Sequence, residues 1–240
     1  MSKVYALNEV RESIAKGELV VVVGTGCSIS LTSGQVSSLS WKGLIAGGFV
    51  YDKEKGKISE AQFETWSSML DSTDIDDTLS AAEYVGRKLG APSGDLYARW
   101  LNQSFQHIRP ESGSMADAIV NIVNLGVPVC TLNYDSLLEQ VTKLPSINLV
   151  DVRKATSWMR REEPGILHLH GHWQEPDTCI LGIRDYEKTL NSESRDLFQR
   201  TLGAYKRLLF IGCGDTFGDP NFSALISWLR TNVNASSLQH

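Results

Sequence analysis

The chain has 240 residues, of which 42% are hydrophobic and 21% are charged, and its formal net charge at pH 7 is -5. This length suits one domain, or one domain with a sizeable insertion, and it can bury a core without disulfide staples. The mild negative charge offers no basic surface for nucleic acid, and the apolar runs are far shorter than the ~20 residues that span a bilayer. We therefore expect a cytoplasmic globular protein that binds neither nucleic acid nor membrane.

The chain begins with a predicted amphipathic helix in residues 1–18. Its apolar residues recur at helical spacing on one face, and Gly17 is typical of a helix end. These apolar residues are Leu7, Val10 and Ile14. The segment lacks the apolar centre of a signal peptide, which agrees with a cytoplasmic location.

The next predicted element is a buried strand, Leu19–Val23, that ends on a Gly-x-Gly turn at Gly24 and Gly26. A Ser/Gly-rich loop then leads to a helix that begins near Ser40. A long polar loop at the carboxyl end of a buried strand is a common ligand site in α/β proteins. The loop is therefore the first candidate for binding.

Residues 59–108 carry only helical signals, and no strand-like run interrupts them. We predict a helical insertion, at about 50–112, within a single domain that covers 1–240. Most of its aromatic side chains should pack in a small core of their own. They are Phe63, Trp66, Tyr84, Tyr97, Trp100 and Phe105.

After the insertion, apolar strands alternate with amphipathic helices. This rhythm predicts an α/β fold with a Rossmann-like, mostly parallel sheet that carries helices on both faces. The predicted strands cover 127–132, 146–152, 165–171, 178–183 and 207–214. The predicted helices cover 114–126, 133–144, 193–206 and 219–233.

Glycines or compact polar groups follow four of the predicted strands, at the edge of the sheet where ligands bind in such folds. The four segments are 24–28, 131–135, 168–172 and 212–222. In the first, the glycines either let backbone amides approach a phosphate or only form a tight turn. Ile29 stands where a dinucleotide fingerprint has its third glycine, and no acidic residue follows at about 20 residues, so a dehydrogenase loop is not supported.

The other segments also allow more than one interpretation. Asn133 and Asp135 are able to cap the following helix or to contact a ligand. Three histidines alternate along one extended segment: we expect His168 to lie in the core, His170 to be the better general base, and His172 to be exposed beyond the turn. Because no carboxylate nearby in sequence completes a ligand set, we expect no metal.

Taken in order, these segments resemble the sirtuin-like NAD-binding domain. The resemblance is closest to a divergent bacterial branch found in anti-phage defence proteins, and it spans roughly 18–230. It implies that NAD⁺ is the substrate and that Asn133 and His170 are catalytic. It also implies NAD contacts from Gly24, Thr25, Gly26, Cys27, Ser28, Asp135, Gly212, Gly214 and Asp219.

Two departures from the resemblance separate this chain from the protein-deacylating sirtuins. The four cysteines are scattered singly, so they form no Cys-x-x-Cys pair and we expect no zinc. The segment after the first loop also lacks the Gly-Ile-Pro-Asp-Phe-Arg pattern of the deacylases. We therefore expect an NAD⁺ glycohydrolase that acts as a regulated defence effector, controlled by homo-oligomerisation or by a partner.

Two alternatives stay open on the sequence alone. A deacylase or ADP-ribosyltransferase would use the same site and would need a groove for a protein substrate. A sensor would bind NAD or ADP-ribose without turning it over.

Overall fold

A computed structural model describes residues 3–34, 36–190 and 207–214. Within them, five strands form one parallel sheet in the order β3-β4-β2-β1-β5. Because all strands run in one direction, their carboxyl ends share one edge, as in a Rossmann-like α/β fold. The strands are β1 (Leu19–Val23), β2 (Val129–Thr131), β3 (Ser146–Asn148), β4 (Ile166–His168) and β5 (Arg207–Ile211).

Helices precede, connect and cover the strands. The first five are α1 (Lys3–Ala15), α2 (Thr25–Leu31), α3 (Trp41–Glu54), α4 (Glu60–Ser68) and α5 (Ile75–Leu89). The next five are α6 (Asp95–Phe105), α7 (Ser114–Asn124), α8 (Leu137–Thr142), α9 (Val152–Met159) and α10 (Ile183–Leu190). In the described part of the chain, none of these helices has the length and apolar character needed to cross a membrane.

Alternate residues of the strands face two different cores, because successive side chains of a strand point to opposite faces. One face carries Val21, Val23 and Ile166 and packs against most of the helices. The other face carries Val20, Val22 and Leu167 and packs against α9. The sheet is thus covered on both sides, as predicted.

Helices α4–α6 form the predicted helical stretch. Their aromatic side chains pack into the same core as the sheet, so the prediction that most of them form a small core of their own is wrong. Ser40 caps α3 by accepting a hydrogen bond from the Gly43 amide, as expected for a helix that begins there. Gly90 ends α5 in the left-handed conformation, φ 85°. Trp66 and Tyr84 stack with ring centroids 4.1 Å apart.

Two further sequence predictions about local structure are wrong. The predicted loop after β1 begins instead as helix α2, whose Cys27 and Leu31, four residues apart, are both buried. Segment 178–183 is not a strand, because its Leu181 and Gly182 amides donate to the Asp185 carboxylate at the start of α10. Leu7 is 50% exposed, whereas the other two apolar residues of the α1 face pack on the core. The predicted helices 193–206 and 219–233 lie outside the described residues.

Candidate functional site

The turn after β1 lies directly against the end of β5. The Gly24 amide donates to the Ile211 carbonyl at 2.9 Å, and the Gly26 amide donates to the Gly212 carbonyl at 2.8 Å. A Cβ atom on Gly24 would lie 2.7 Å from the Gly212 oxygen, and one on Gly212 would lie 2.3 Å from the Cys27 nitrogen. Gly212 also has a φ of 67°. These glycines therefore allow two backbones to touch, which no larger residue permits.

Helix α2 begins at Thr25, so its amino end lies at the carboxyl edge of the sheet. In this turn the Cys27 amide donates to the Gly24 carbonyl. The Gly24 amide donates to the last residue of β5, and the Gly26 amide donates to the residue that follows β5. Gly26 and Gly214 are exposed at this edge. Asp219, which the resemblance also assigns to NAD, lies outside the described residues.

A chain of hydrogen bonds joins the first two polar segments. The Asn133 side-chain nitrogen donates to Ser28 Oγ at 2.8 Å, and Ser28 Oγ donates to Asp135 Oδ2 at 2.8 Å. All three residues are buried. The structure thus brings together three of the residues that the sequence singled out, from α2 and from the segment after β2.

Asp135 uses both of its carboxylate oxygens inside the protein. Oδ1 accepts a hydrogen bond from the Leu137 amide at the start of α8, and Oδ2 accepts the bond from Ser28. Burial raises the pKa of this carboxyl, against the lowering effect of those two hydrogen bonds. Asp135 thus binds the first amide of α8 from one position before the N-cap residue, Ser136, whose own side chain makes no capping bond.

The segment that carries His170 runs beside the segment that carries Asn133. The Leu169 amide donates to the Thr131 carbonyl at 2.8 Å, and the Trp173 amide donates to the Tyr134 carbonyl at 3.0 Å. His170 itself is buried, and its carbonyl accepts a hydrogen bond from the Ile180 amide. The next residue, Gly171, turns the chain with a φ of 85°.

His168 lies in the core, as predicted, and both of its ring nitrogens have partners. Nδ1 donates to the Asn133 carbonyl at 2.9 Å, and Nε2 lies 2.6 Å from Glu139 Oε1. Burial opposes the charged ring, but the hydrogen bond and charge of Glu139 outweigh it and raise the pKa of His168. Asn133 is consequently held from its backbone as well as from its side chain.

His172 is buried, with 1% of its surface exposed, so the prediction that it is exposed is wrong. The turn at Gly171 folds the chain back, and the His172 ring centroid lies 4.7 Å from that of His168. Its Nε2 is 2.9 Å from Ser136 Oγ, which also accepts a hydrogen bond from Trp173 Nε1. Burial, together with the charge of His168, lowers the pKa of His172 to about 3.

The four cysteines are free and buried. Burial raises the pKa of Cys27 to about 12, with the Asp135 and Cys213 charges adding to the shift. It also raises the pKa of Cys213 to about 11. Both side chains are therefore thiols at neutral pH, and they serve as small apolar groups rather than as nucleophiles.

A cavity of about 160 Å³ lies on the other half of the same edge, at the ends of β3 and β4. Asn148, His168, Gly171, Thr178 and Lys188 line it, among others. The described lining includes none of the residues of segment 24–28, nor Asn133 or Asp135. The cavity and the Asn133 hydrogen-bond chain therefore flank the His168–His172 segment.

Sequence reasoning missed two residues that hold this region together. Glu139 pairs with His168 from 29 positions away, and Ser136 joins the His172 and Trp173 rings from 36 and 37 positions away. Both residues belong to the segment that begins α8, where the sequence indicates only helix formation. Their roles depend on the parallel packing of β2 beside β4, which brings α8 over the end of β4.

A comparison with known protein families agrees with this arrangement. The model of the family described as SIR2-like domain matches residues 128–240. The matched part begins at β2 and holds Asn133, Asp135, His170 and Gly212. Residues 128–240, slightly less than half of the chain, are thus similar to SIR2-like domains.

Proposed function

We propose that this protein is an NAD⁺ glycohydrolase, which cleaves NAD⁺ to nicotinamide and ADP-ribose. The observation that carries the proposal is the hydrogen-bond chain from Asn133 through Ser28 to Asp135, which lies beside the segment of His170. The family match over residues 128–240 supports NAD as the ligand. The proposal is further supported by the position of a hydrogen-bonded amide and a buried histidine near the edge where parallel sheets bind ligands.

The reaction breaks the bond between the nicotinamide nitrogen and C1′ of the ribose. The electron pair of that bond moves to the ring nitrogen, and C1′ gains oxocarbenium character until water attacks it. In our proposal His170 accepts the proton that the attacking water loses, a role worth about 10² to 10⁴ in rate. Asn133 positions the water or a ribose hydroxyl through Oδ1, which takes no part in the chain to Ser28.

Asp135 acts indirectly in this scheme. Its two oxygens already bind the Leu137 amide and the Ser28 hydroxyl, so we assign it to hold Ser28 rather than to contact nicotinamide. Ser28 then directs the Asn133 amide. Such fixed polar groups lower the barrier because they need no reorganisation when charge develops on the substrate.

We assign the NAD phosphates to the exposed side of the turn between β1 and α2. Thr25 begins α2 there, and the exposed Gly26 and Gly214 let a phosphate approach the backbone closely. Gly24 and Gly212 act indirectly, because they hold the turn against the end of β5. In this arrangement Cys27 fills the core below the turn.

We further propose that the activity is controlled by self-assembly or by a partner, because an unregulated hydrolase would drain the NAD of its cell. This control agrees with a defence effector, the role that the resemblance implies. The absence of any Cys-x-x-Cys pair in the sequence favours hydrolysis over deacylation.

The experiment is to incubate the purified chain with NAD⁺, without any acceptor, and to separate the products by chromatography at several protein concentrations. We expect nicotinamide and ADP-ribose in equal amounts, with a specific activity that rises with protein concentration if self-assembly activates. Turnover that requires an acyl-lysine peptide would instead identify a deacylase. Binding of NAD⁺ without release of nicotinamide at every concentration would identify a sensor.

A further inference from the structure

Three titratable side chains gather beside the His170 segment, and one of them, His168, also lines the cavity at the ends of β3 and β4. One ligand atom from each of Glu139, His168 and His172 lies within 4.8 Å of the others. We call these three residues the Glu-His-His cluster. Both histidines are buried, with 0% and 1% of their surface exposed.

Two members of the cluster have buried atoms without a hydrogen-bond partner among the residues that the structure describes. These atoms are Glu139 Oε2 and His172 Nδ1. Asn148 stands in register with His168 in the sheet, and in the described part of the chain neither polar atom of its side-chain amide has a partner. Buried polar atoms are normally paired, so such a concentration of unpaired ones indicates a missing ligand or bound water.

The hydrogen bonds that the two histidine rings make to residues outside the cluster are compatible with metal binding. His168 donates its Nδ1 proton to the Asn133 carbonyl, which leaves Nε2 to face Glu139. His172 is able to donate its Nε2 proton to Ser136 Oγ, which leaves the lone pair of Nδ1 free. Metal-binding histidines typically donate their second N–H group to an oxygen in this way, which fixes the tautomer.

We propose that the Glu-His-His cluster binds one divalent transition-metal ion, with Zn²⁺ as the best match to two imidazoles and one carboxylate. Tetrahedral ligation at about 2.0–2.1 Å separates ligand atoms by about 3.3 Å, so the widest pair has to close by up to about 1.5 Å. Glu139 reaches the ion through Oε2, which has no hydrogen-bond partner within residues 3–34, 36–190 and 207–214. The cavity beside His168 leaves room for a water molecule as the fourth ligand.

The ion would have a structural role. It would join the last residue of β4 to a residue beyond the Gly171 turn, and it would join both to α8. His170 lies between the two histidine ligands, so the ion fixes the segment that carries the proposed base. This site goes beyond the proposed function, because metal binding is measurable whether or not the protein cleaves NAD⁺.

The test uses the full-length chain after treatment with a chelator. Zn²⁺ binding is measured by calorimetry, and Co²⁺ is added separately to record the visible absorption of a tetrahedral site. We expect one ion per chain and a higher melting temperature with Zn²⁺. Glu139→Gln, which keeps the size of the side chain, and His172→Asn should each weaken Zn²⁺ binding by more than about 100-fold, since even outer-shell changes cost 10–100-fold.

The exposed His107 provides the matched control, and His107→Ala should bind Zn²⁺ like the wild type. Circular dichroism of the metal-free variants shows whether they fold. Failure of the wild type to bind either ion would overturn the proposal. Wild-type Zn²⁺ affinity in both Glu139→Gln and His172→Asn would also overturn it, because the ion would then be bound elsewhere.

Discussion

The side-chain nitrogen of Asn133 donates a hydrogen bond to Ser28 Oγ at 2.8 Å, although 105 positions separate the two residues. Ser28 lies on α2, directly after β1, and Asn133 follows β2. Because β1 and β2 are parallel neighbours, the two residues meet at the carboxyl edge of the sheet. The orientation of the Asn133 amide therefore depends on the Ser28 hydroxyl.

Ser28→Ala should lower the rate of NAD⁺ cleavage more than it lowers NAD⁺ binding. The change removes the acceptor of the Asn133 amide and leaves Asp135 Oδ2 without its donor. We expect the unfolding free energy to fall by about 1–3 kcal/mol as a result. We expect kcat to fall by about 10- to 100-fold, within the range seen when a positioned polar group is lost, with a smaller change in KM. Steady-state kinetics measures both constants.

Ser30→Ala is the matched control for this change, because Ser30 is exposed on the same helix. It should leave kcat and stability close to the wild type. Equal kcat values for Ser28→Ala and the wild type would show that the hydrogen-bond chain does not position Asn133 for the reaction.

His170→Gln should reduce NAD⁺ cleavage by about 10² to 10⁴, the usual worth of a general base. The variant keeps a polar side chain at a buried position, so circular dichroism and the melting temperature should show a folded protein. NAD⁺ should still raise the melting temperature, because the phosphate contacts are unchanged. A folded His170→Gln variant with full activity would remove His170 from the reaction, and His107→Ala serves as the exposed-histidine control.

Gly212→Ala should destabilise the fold by about 2 kcal/mol or more, since a strained left-handed residue alone costs about 1–3 kcal/mol. Gly212 has a φ of 67°, and its added Cβ would lie 2.3 Å from the Cys27 nitrogen. Gly214→Ala is the control, because no described heavy atom lies within 4 Å of a Cβ at that position. Urea denaturation compares the two, and equal midpoints would show that β5 does not pack on the β1 turn this closely.

Asp52 should make the protein less stable as the pH rises. It is fully buried on α3, and none of the described residues gives its carboxylate oxygens a hydrogen-bond partner. Burial raises its pKa from 3.8 to about 7, against the lowering effect of the Lys88 and Lys57 charges. Between pH ~4 and ~7 the folded state therefore holds a proton on Asp52 that the unfolded state has lost. The stability that this proton contributes is lost as the pH rises through that range.

Asp52→Asn should remove this dependence, because the amide does not ionise. Above pH ~7 the variant should be more stable than the wild type by up to about 4 kcal/mol, because each pKa unit of the shift is worth about 1.4 kcal/mol, and below pH ~4 the gain should vanish. Urea denaturation at several pH values measures the difference. Glu54→Gln, at an exposed position of the same helix, is the control. A gain for Asp52→Asn that does not change with pH would contradict the account.

The sheet was predictable because its strands are short apolar runs with a clear rhythm, such as Leu19–Val23. Helix α2 was not predictable, because its Ser/Gly-rich composition is typical of a loop. This seven-residue helix forms only because Cys27 and Leu31 pack into the core. The strand predicted at 178–183 failed for a similar reason. Its apolar residues are buried, but two of its amides are taken by Asp185 and do not join the sheet.

The proximity of Ser28, Asn133 and Asp135 followed from the rule that polar residues after parallel strands share one edge. The partners of His168 and His172 did not follow from any rule of spacing. Glu139 and Ser136 reach them only because α8 crosses the end of β4, and the turn at Gly171 brings His172 back toward the core. These contacts depend on the path of the chain in three dimensions, which a one-dimensional pattern does not contain.

The most direct test of the central claim is the rate of nicotinamide release from NAD⁺ by the wild type and by Asn133→Ala, measured without an acceptor. The account predicts release by the wild type and a loss of at least about 100-fold in the variant, while circular dichroism shows that the variant folds. Release at the wild-type rate by a folded Asn133→Ala variant would contradict it.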